Sequence, residues 1–166
     1  MSLTGNNNYF EDFEIGTVMK HARGKTMCEQ DNVGITLQVL NTAEGHFNEH
    51  LMQQNAMGRD GWNSRLQFGG VTISMIIGLS MQDTGENALK ELSLDAIRLK
   101  NPVFHGDTLY AYTEVLGKEE ADRDDAGIVQ FKHWGVNQDD KVVFEGERRV
   151  LIKKRPADST PHIQHR

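Results

Sequence analysis

The stretch from Gly70 to Gln82 constrains this chain most, because Val71, Ile73, Met75, Ile76, Ile77, Leu79 and Met81 leave it without a charged face. A helix of that kind is expected to be buried on every side. The run is far shorter than the roughly 20 apolar residues a membrane span needs, so it reads as the core of a water-facing domain. Behind it come Leu92 to Leu99, Thr108 to Leu116, Gly127 to Val136 and Lys141 to Ile152, each alternating or rich in β-formers. Asn101-Pro102, His105-Gly106-Asp107 and Asn137-Gln138-Asp139-Asp140 punctuate them as turns. Four successive antiparallel strands in a meander are expected, curved around the one buried helix.

That architecture is α+β and of the hotdog kind. The apolar sheet face or edge left over is expected to be covered by a second copy, giving a homodimer or higher. The 166 residues suit one domain, expected over 9–155, with flexible ends at 1–8 and 156–166. Lys and Arg number 18 against 24 Asp and Glu, a net charge of -6 that repels a phosphate backbone and argues against a nucleic-acid partner. The lone cysteine, Cys28, has no thiol partner in the chain, and no basic-then-apolar leader opens it. A cytoplasmic protein without membrane attachment is expected.

Thr26-Met27-Cys28-Glu29 has the form of a capping box, and Val33, Leu37 and Leu40 follow at helical spacing, so a helix from about Glu29 to Leu40 is predicted. Asn41 to Met57 is polar, and Gly58 to Gly70 is a glycine-punctuated loop. Within the polar stretch, His46 and His50 stand four apart and would share a face if helical. Three readings stay open: proton transfer, a metal pair with Glu44 or Glu49, and a solvated loop. Gly69-Gly70 opens the buried helix, where free N–H groups and the helix dipole would stabilise a developing oxyanion; a plain helix-entry turn is the other reading.

Taken in order, Tyr9-Phe10-Glu11-Asp12-Phe13-Glu14-Ile15-Gly16, the Asn41 to His50 segment, the Gly70 helix start and Asn101-Pro102-Val103-Phe104-His105-Gly106-Asp107-Thr108-Leu109 resemble the MaoC-type acyl-CoA hydratases and dehydratases over about Tyr9 to Arg155. Gly78 to Thr84, Leu94 to Arg98 and Gly106 to Ala111 are most similar to the mesaconyl-CoA hydratase, or methylmalyl-CoA dehydratase, branch. The resemblance implies a hotdog fold and action on 2-enoyl-CoA or 3-hydroxyacyl-CoA thioesters. It places the catalytic histidine at His46 and, five residues earlier, Asn41 where the usual motif has aspartate; the family's Asn-Pro pair reads Ala43-Glu44.

An amide orients water but cannot take its proton, so His46 would carry more of the proton transfer, with Glu44 or Glu49 as a displaced carboxylate or a plain surface charge. The expected reaction is reversible hydration: water held by His46 and Asn41 adds at the β carbon while the thioester oxygen rests on the Gly70 N–H. No cofactor is expected, because the thioester itself acidifies the α proton. A dicarboxylic acyl group would need a cation, with Arg65 and then Arg98 as candidates beside Gly69. Arg148, Arg149, Lys153, Lys154 and Arg155 could meet the CoA phosphates or form a solvated strand end. A hotdog thioesterase is the rival enzyme, disfavoured because no Asp or Glu lies between Gly70 and Gln82, although Asp83 follows at once. An acyl-CoA-binding protein that has lost catalysis is the other rival.

Overall fold

The computed structural model describes residues 8–54 and 62–157. A single five-stranded antiparallel sheet contains β1 (Val18–Thr26), β2 (Ala88–Leu99), β3 (Thr108–Glu120), β4 (Ala126–Val136) and β5 (Val142–Lys153), in the order β1-β3-β4-β5-β2. The helix α3 (Gly69–Thr84) packs on its inner face. Two shorter helices, α1 (Ile35–Gln38) and α2 (Glu49–Gln53), lie in the segment between β1 and α3.

All four expected strands form, but not as one meander. Only β3, β4 and β5 follow one another in space; β2 crosses to the far edge and pairs with β5. The strand β1, which the sequence did not announce, forms the other edge. Its Lys20, Arg23 and Lys25 suit an edge, where charged side chains discourage pairing with another chain.

Along β3, Leu109, Ala111, Thr113 and Val115 are buried in strict alternation, as one inward face requires. Two apolar clusters share that face. One gathers Met27, Val71, Ile76, Val103, Leu109 and Phe144 around the start of α3. The other gathers Phe10, Phe13, Val115, Phe131, Val150 and Ile152. Between them runs a polar band: Asp83 accepts from His21 Nδ1 at 2.6 Å, and the Thr113 hydroxyl sits 2.7 Å from His21 Nε2 and 2.8 Å from His133 Nδ1.

The central helix is corrected in one respect: it is not buried on every side within the chain. Thr72, Ile76, Ser80 and Thr84, four apart, form its inward line, while Ser74 and Gly78 are exposed. The strand β2 exposes Leu89, Leu92, Leu94, Ile97 and Leu99, of which Leu92 and Leu94 stand beside that outer line. A shallow apolar depression of about 530 Å³ lies between them, lined by Ile77, Met81, Leu92 and Leu94.

The predicted helix at 29–40 forms as a π turn over Gln30–Gly34 running into α1. The expected capping box at Thr26 does not form. Thr26 ends β1, with its hydroxyl on Thr108, and the carboxylate of Asp31 reaches back instead to the Cys28 N–H at 2.9 Å. Of the expected flexible ends, residues 1–7 and 158–166 lie outside the described residues; Asn8 donates to the Gln82 carbonyl, and Arg155, the last residue of the expected domain, binds Asp12. No helix among the described residues is long and apolar enough to cross a membrane.

Candidate active site

Three separate pieces of chain meet at the N-terminus of α3. A short 3-10 turn, Glu44–His46, presents His46. The loop 62–68 leads into the helix and touches the turn before β3 through the Leu66–Phe104 bridge. That turn is shaped by its own sequence: Gly106 takes a positive φ of 91°, and Asp107 accepts from the Phe104 N–H at 2.8 Å. Val103 then holds the Gln67 N–H on its carbonyl. Together they wall a cleft of about 500 Å³ lined by His46, Trp62, Phe68, Gly69, Gly70 and Leu99 to Val103.

His46 is fixed in one tautomer. Its Nδ1 lies 2.8 Å from the Leu66 carbonyl, and since a carbonyl only accepts, Nδ1 carries the hydrogen. Nε2 keeps the lone pair and is the basic atom of the ring. The Phe68 ring stands 5.6 Å away, centroid to centroid.

At the helix start, backbone donors divide into used and unused. Gln67 N–H goes to Val103, Phe68 N–H to the Asn32 side chain, and Val71 and Thr72 N–H both go to the Phe68 carbonyl. The N–H groups of Gly69 and Gly70 have no such partner among the described residues, which is the ordinary condition of a helix N-terminus. A Cβ on Gly70 would fall 2.6 Å from a Phe68 ring carbon and oblige that ring to shift, whereas one on Gly69 would meet only the far end of the exposed Leu99 side chain. A positive dipole end and two open donors therefore face the cleft that His46 lines.

Other sequence-derived candidates stand elsewhere. Asn41 is not in the cleft: its Oδ1 accepts from the Ala43 N–H at 3.0 Å, closing an Asx turn. Glu44 is exposed outside the cleft, and its carbonyl receives Phe47 and Asn48. His46 and His50 do not share a helix, because Asn48 caps α2 between them and His50 pairs with Gln54. Among the described residues no three His, Cys, Asp or Glu side chains cluster for a metal.

Arg65 is held by two carboxylates. Its guanidinium binds Glu29 through both terminal nitrogens and Glu49 through Nε at 2.8 Å, holding the Glu49 carboxyl below the usual carboxylate range. It ties the π turn to α2 rather than facing the cleft. Arg98 lies on exposed β2, opposite Glu145 in register. Arg149 pairs with Glu119 beside a separate shallow depression formed by β3, β4 and β5. Of the remaining basic strand end, Arg148 is buried against Glu91 and Thr84, and Lys154 pairs with Glu120. The lysine that does line the cleft is Lys100, 3.6 Å from Glu145. It was legible only as the residue before Asn101-Pro102. Asp83, the carboxylate of the thioesterase reading, is engaged by His21 at the opposite end of α3 from Gly70.

A model of the family described as mesaconyl-CoA hydratase matches residues 3–154. The chain belongs to the mesaconyl-CoA hydratase family. It is 36% identical over 118 residues to the beta-methylmalyl-CoA dehydratase of Chloroflexus aurantiacus, covering 71% of this chain and 32% of that protein. To the mesaconyl-CoA hydratase of Haloarcula marismortui it is 31% identical over 163 residues, covering 92% of this chain and 44% of the relative. The chain thus spans less than half the length of these curated relatives. A Mycobacterium tuberculosis protein described as a double hotdog superposes with a TM-score of 0.77 at 23% identity, over 92% of this chain and 46% of that one. The fold of this family member is the hotdog fold.

Proposed function

We propose that this chain reversibly hydrates a 2-enoyl-CoA thioester to the 3-hydroxyacyl-CoA, with a branched dicarboxylic acyl group such as that of mesaconyl-CoA as the preferred substrate. The observation that carries the reading is the meeting of His46, locked with its lone pair on Nε2, and the open Gly69 and Gly70 N–H groups at one cleft. Named relatives that hydrate or dehydrate such thioesters support it.

In the reaction, His46 Nε2 takes a proton from water as the oxygen bonds to the β carbon. The C=C pair moves onto the thioester oxygen, whose charge rests on the glycine N–H groups. Collapse of that enolate takes the proton at the α carbon, so the elements of water are added and nothing is oxidised or reduced. The chemistry calls on no cofactor, because the thioester makes the α proton acidic. Lys100 is the cation placed to meet the free carboxylate of a dicarboxylic substrate.

A second copy would cover the apolar line of β2 and the outer face of α3, giving a homodimer; sedimentation of the purified chain reads this directly. The exposed, unpaired Cys28 agrees with a reducing, cytoplasmic setting.

The decisive assay follows loss of enoyl-thioester absorbance with mesaconyl-CoA and crotonyl-CoA. His46→Ala is expected to lose about 10²- to 10⁴-fold in kcat, the usual worth of a general acid/base. Release of free thiol without hydration would establish a thioesterase instead. Binding of CoA esters with neither product would establish a binding protein.

A further inference from the structure

One side chain outside the cleft bonds the backbone of both the turn that carries His46 and the loop that leads into α3. Asn32 sits in the π turn Gln30–Gly34, a wider turn of the kind that recurs at functional sites. Its Nδ2 donates to the His46 carbonyl at 3.0 Å and to the Leu66 carbonyl at 3.4 Å. Its Oδ1 accepts from the Phe68 N–H at 2.9 Å and from the Thr36 hydroxyl at 3.4 Å. The orientation of the amide is settled by its partners, since the Phe68 N–H only donates and the two carbonyls only accept.

Those partners are the two halves of the site. The His46 carbonyl belongs to the turn that carries the base. The Leu66 carbonyl is the acceptor that fixes the His46 ring, and Phe68 is the residue on which α3 begins, one place before Gly69. We propose that Asn32 is the positioning residue of this enzyme: a single carboxamide that sets the distance and orientation of the His46 imidazole relative to the Gly69 and Gly70 donors. The proposal rests on the hydratase reading for its kinetic consequence, while its geometric content stands without it.

The chemistry requires an amide at position 32. Alanine supplies no polar group, and a carboxylate keeps the acceptor for Phe68 but turns a second oxygen toward two carbonyls, with repulsion where two hydrogen bonds had been. Released from Asn32, the Leu66 carbonyl moves and the imidazole loses its anchor. A misplacement of about 1 Å at a reacting group costs on the order of 10²-fold in rate.

The test combines nitrogen-15 NMR of the full chain with kinetics of Asn32→Asp and Asn32→Ser. In the unaltered protein, His46 is expected as the Nδ1–H tautomer, and the Asn32 amide nitrogen is expected to couple across the hydrogen bond to the His46 carbonyl carbon; absence of either overturns the proposal. In folded variants, kcat is expected to fall about 10²-fold with KM little changed, and the His46 ring to populate the other tautomer. A variant that only melts earlier, with kcat and the His46 tautomer unchanged, shows a structural role and overturns it. If the variants do not fold, the coupling in the unaltered protein decides. Should the unaltered protein hydrate no enoyl-CoA, the hydratase reading falls, and the His46 tautomer in the variants still decides whether Asn32 positions the ring.

Discussion

Thr113 and His133 face each other across β3 and β4, hydroxyl to Nδ1 at 2.8 Å, with neither side chain reaching solvent. Among the described residues, His133 Nε2 is buried without a hydrogen-bond partner. Burial first, then the nearby charge of Arg148 and then His21, push the His133 pKa down to about 3. In the unfolded chain the same ring takes a proton near 6.5, which the native state refuses until about pH 3. Its contribution to stability is therefore complete above about pH 6.5 and is lost as the pH falls toward 3, with a slope approaching about 1.4 kcal/mol per pH unit. Urea unfolding midpoints between pH 4 and 8 should fall on the acid side in the unaltered protein. His133→Gln, which keeps a partner for Thr113 but does not titrate, should flatten that fall; an unchanged slope would remove His133 as its cause.

Gly70→Ala tests the helix N-terminus without touching His46. The added Cβ meets the Phe68 ring and narrows the approach to the two open donors. Hydration is expected to slow by about 10²-fold, comparable to the loss of one oxyanion donor. Circular dichroism should show α3 intact, since alanine favours a helix over glycine by about 1 kcal/mol.

Arg65 and Lys100 should separate stability from substrate choice. Arg65→Ala frees Glu29 and Glu49 and is expected to lower the melting temperature, while the ratio of kcat/KM for mesaconyl-CoA over crotonyl-CoA stays constant. Lys100→Ala should leave melting nearly unchanged and reduce that ratio, because only the dicarboxylic thioester presents an anion to it. The reverse pattern would return the specificity role to Arg65.

Leu40 follows α1 in a left-handed conformation, φ 58°, with 84% of its surface exposed. An L-residue with a Cβ is strained there by roughly 1–2 kcal/mol, whereas glycine is not. Leu40→Gly should raise stability by about 1 kcal/mol after the extra freedom of the unfolded glycine is subtracted. Denaturant midpoints compared at constant m-value would show it, and a lower midpoint would mean that Leu40 has a packing role.

The sequence by itself determined what local pattern can specify. An uncharged run at 70–82 marked the helix that packs on the sheet, alternation and β-formers marked four strands, and the order of motifs led to a MaoC-type hydratase resemblance with His46 and Gly70 at its centre. Those are properties of period, composition and short-range turns, which each segment carries with it. Partner choice is different, because it depends on which segments the fold brings together. Local alternation in β2 could not say that it would pair with β5 rather than β3. The charges of Arg65 and Arg98 could not reveal that one would bind two carboxylates and the other lie along an edge strand. Asn41 carried the family's position but closes its own turn, while Asn32 and Lys100, unremarked in the sequence, are set at the site by a π turn and a strand end. Only the tertiary structure decided these, because a side chain's role follows from the hydrogen bonds and charges that folding places around it.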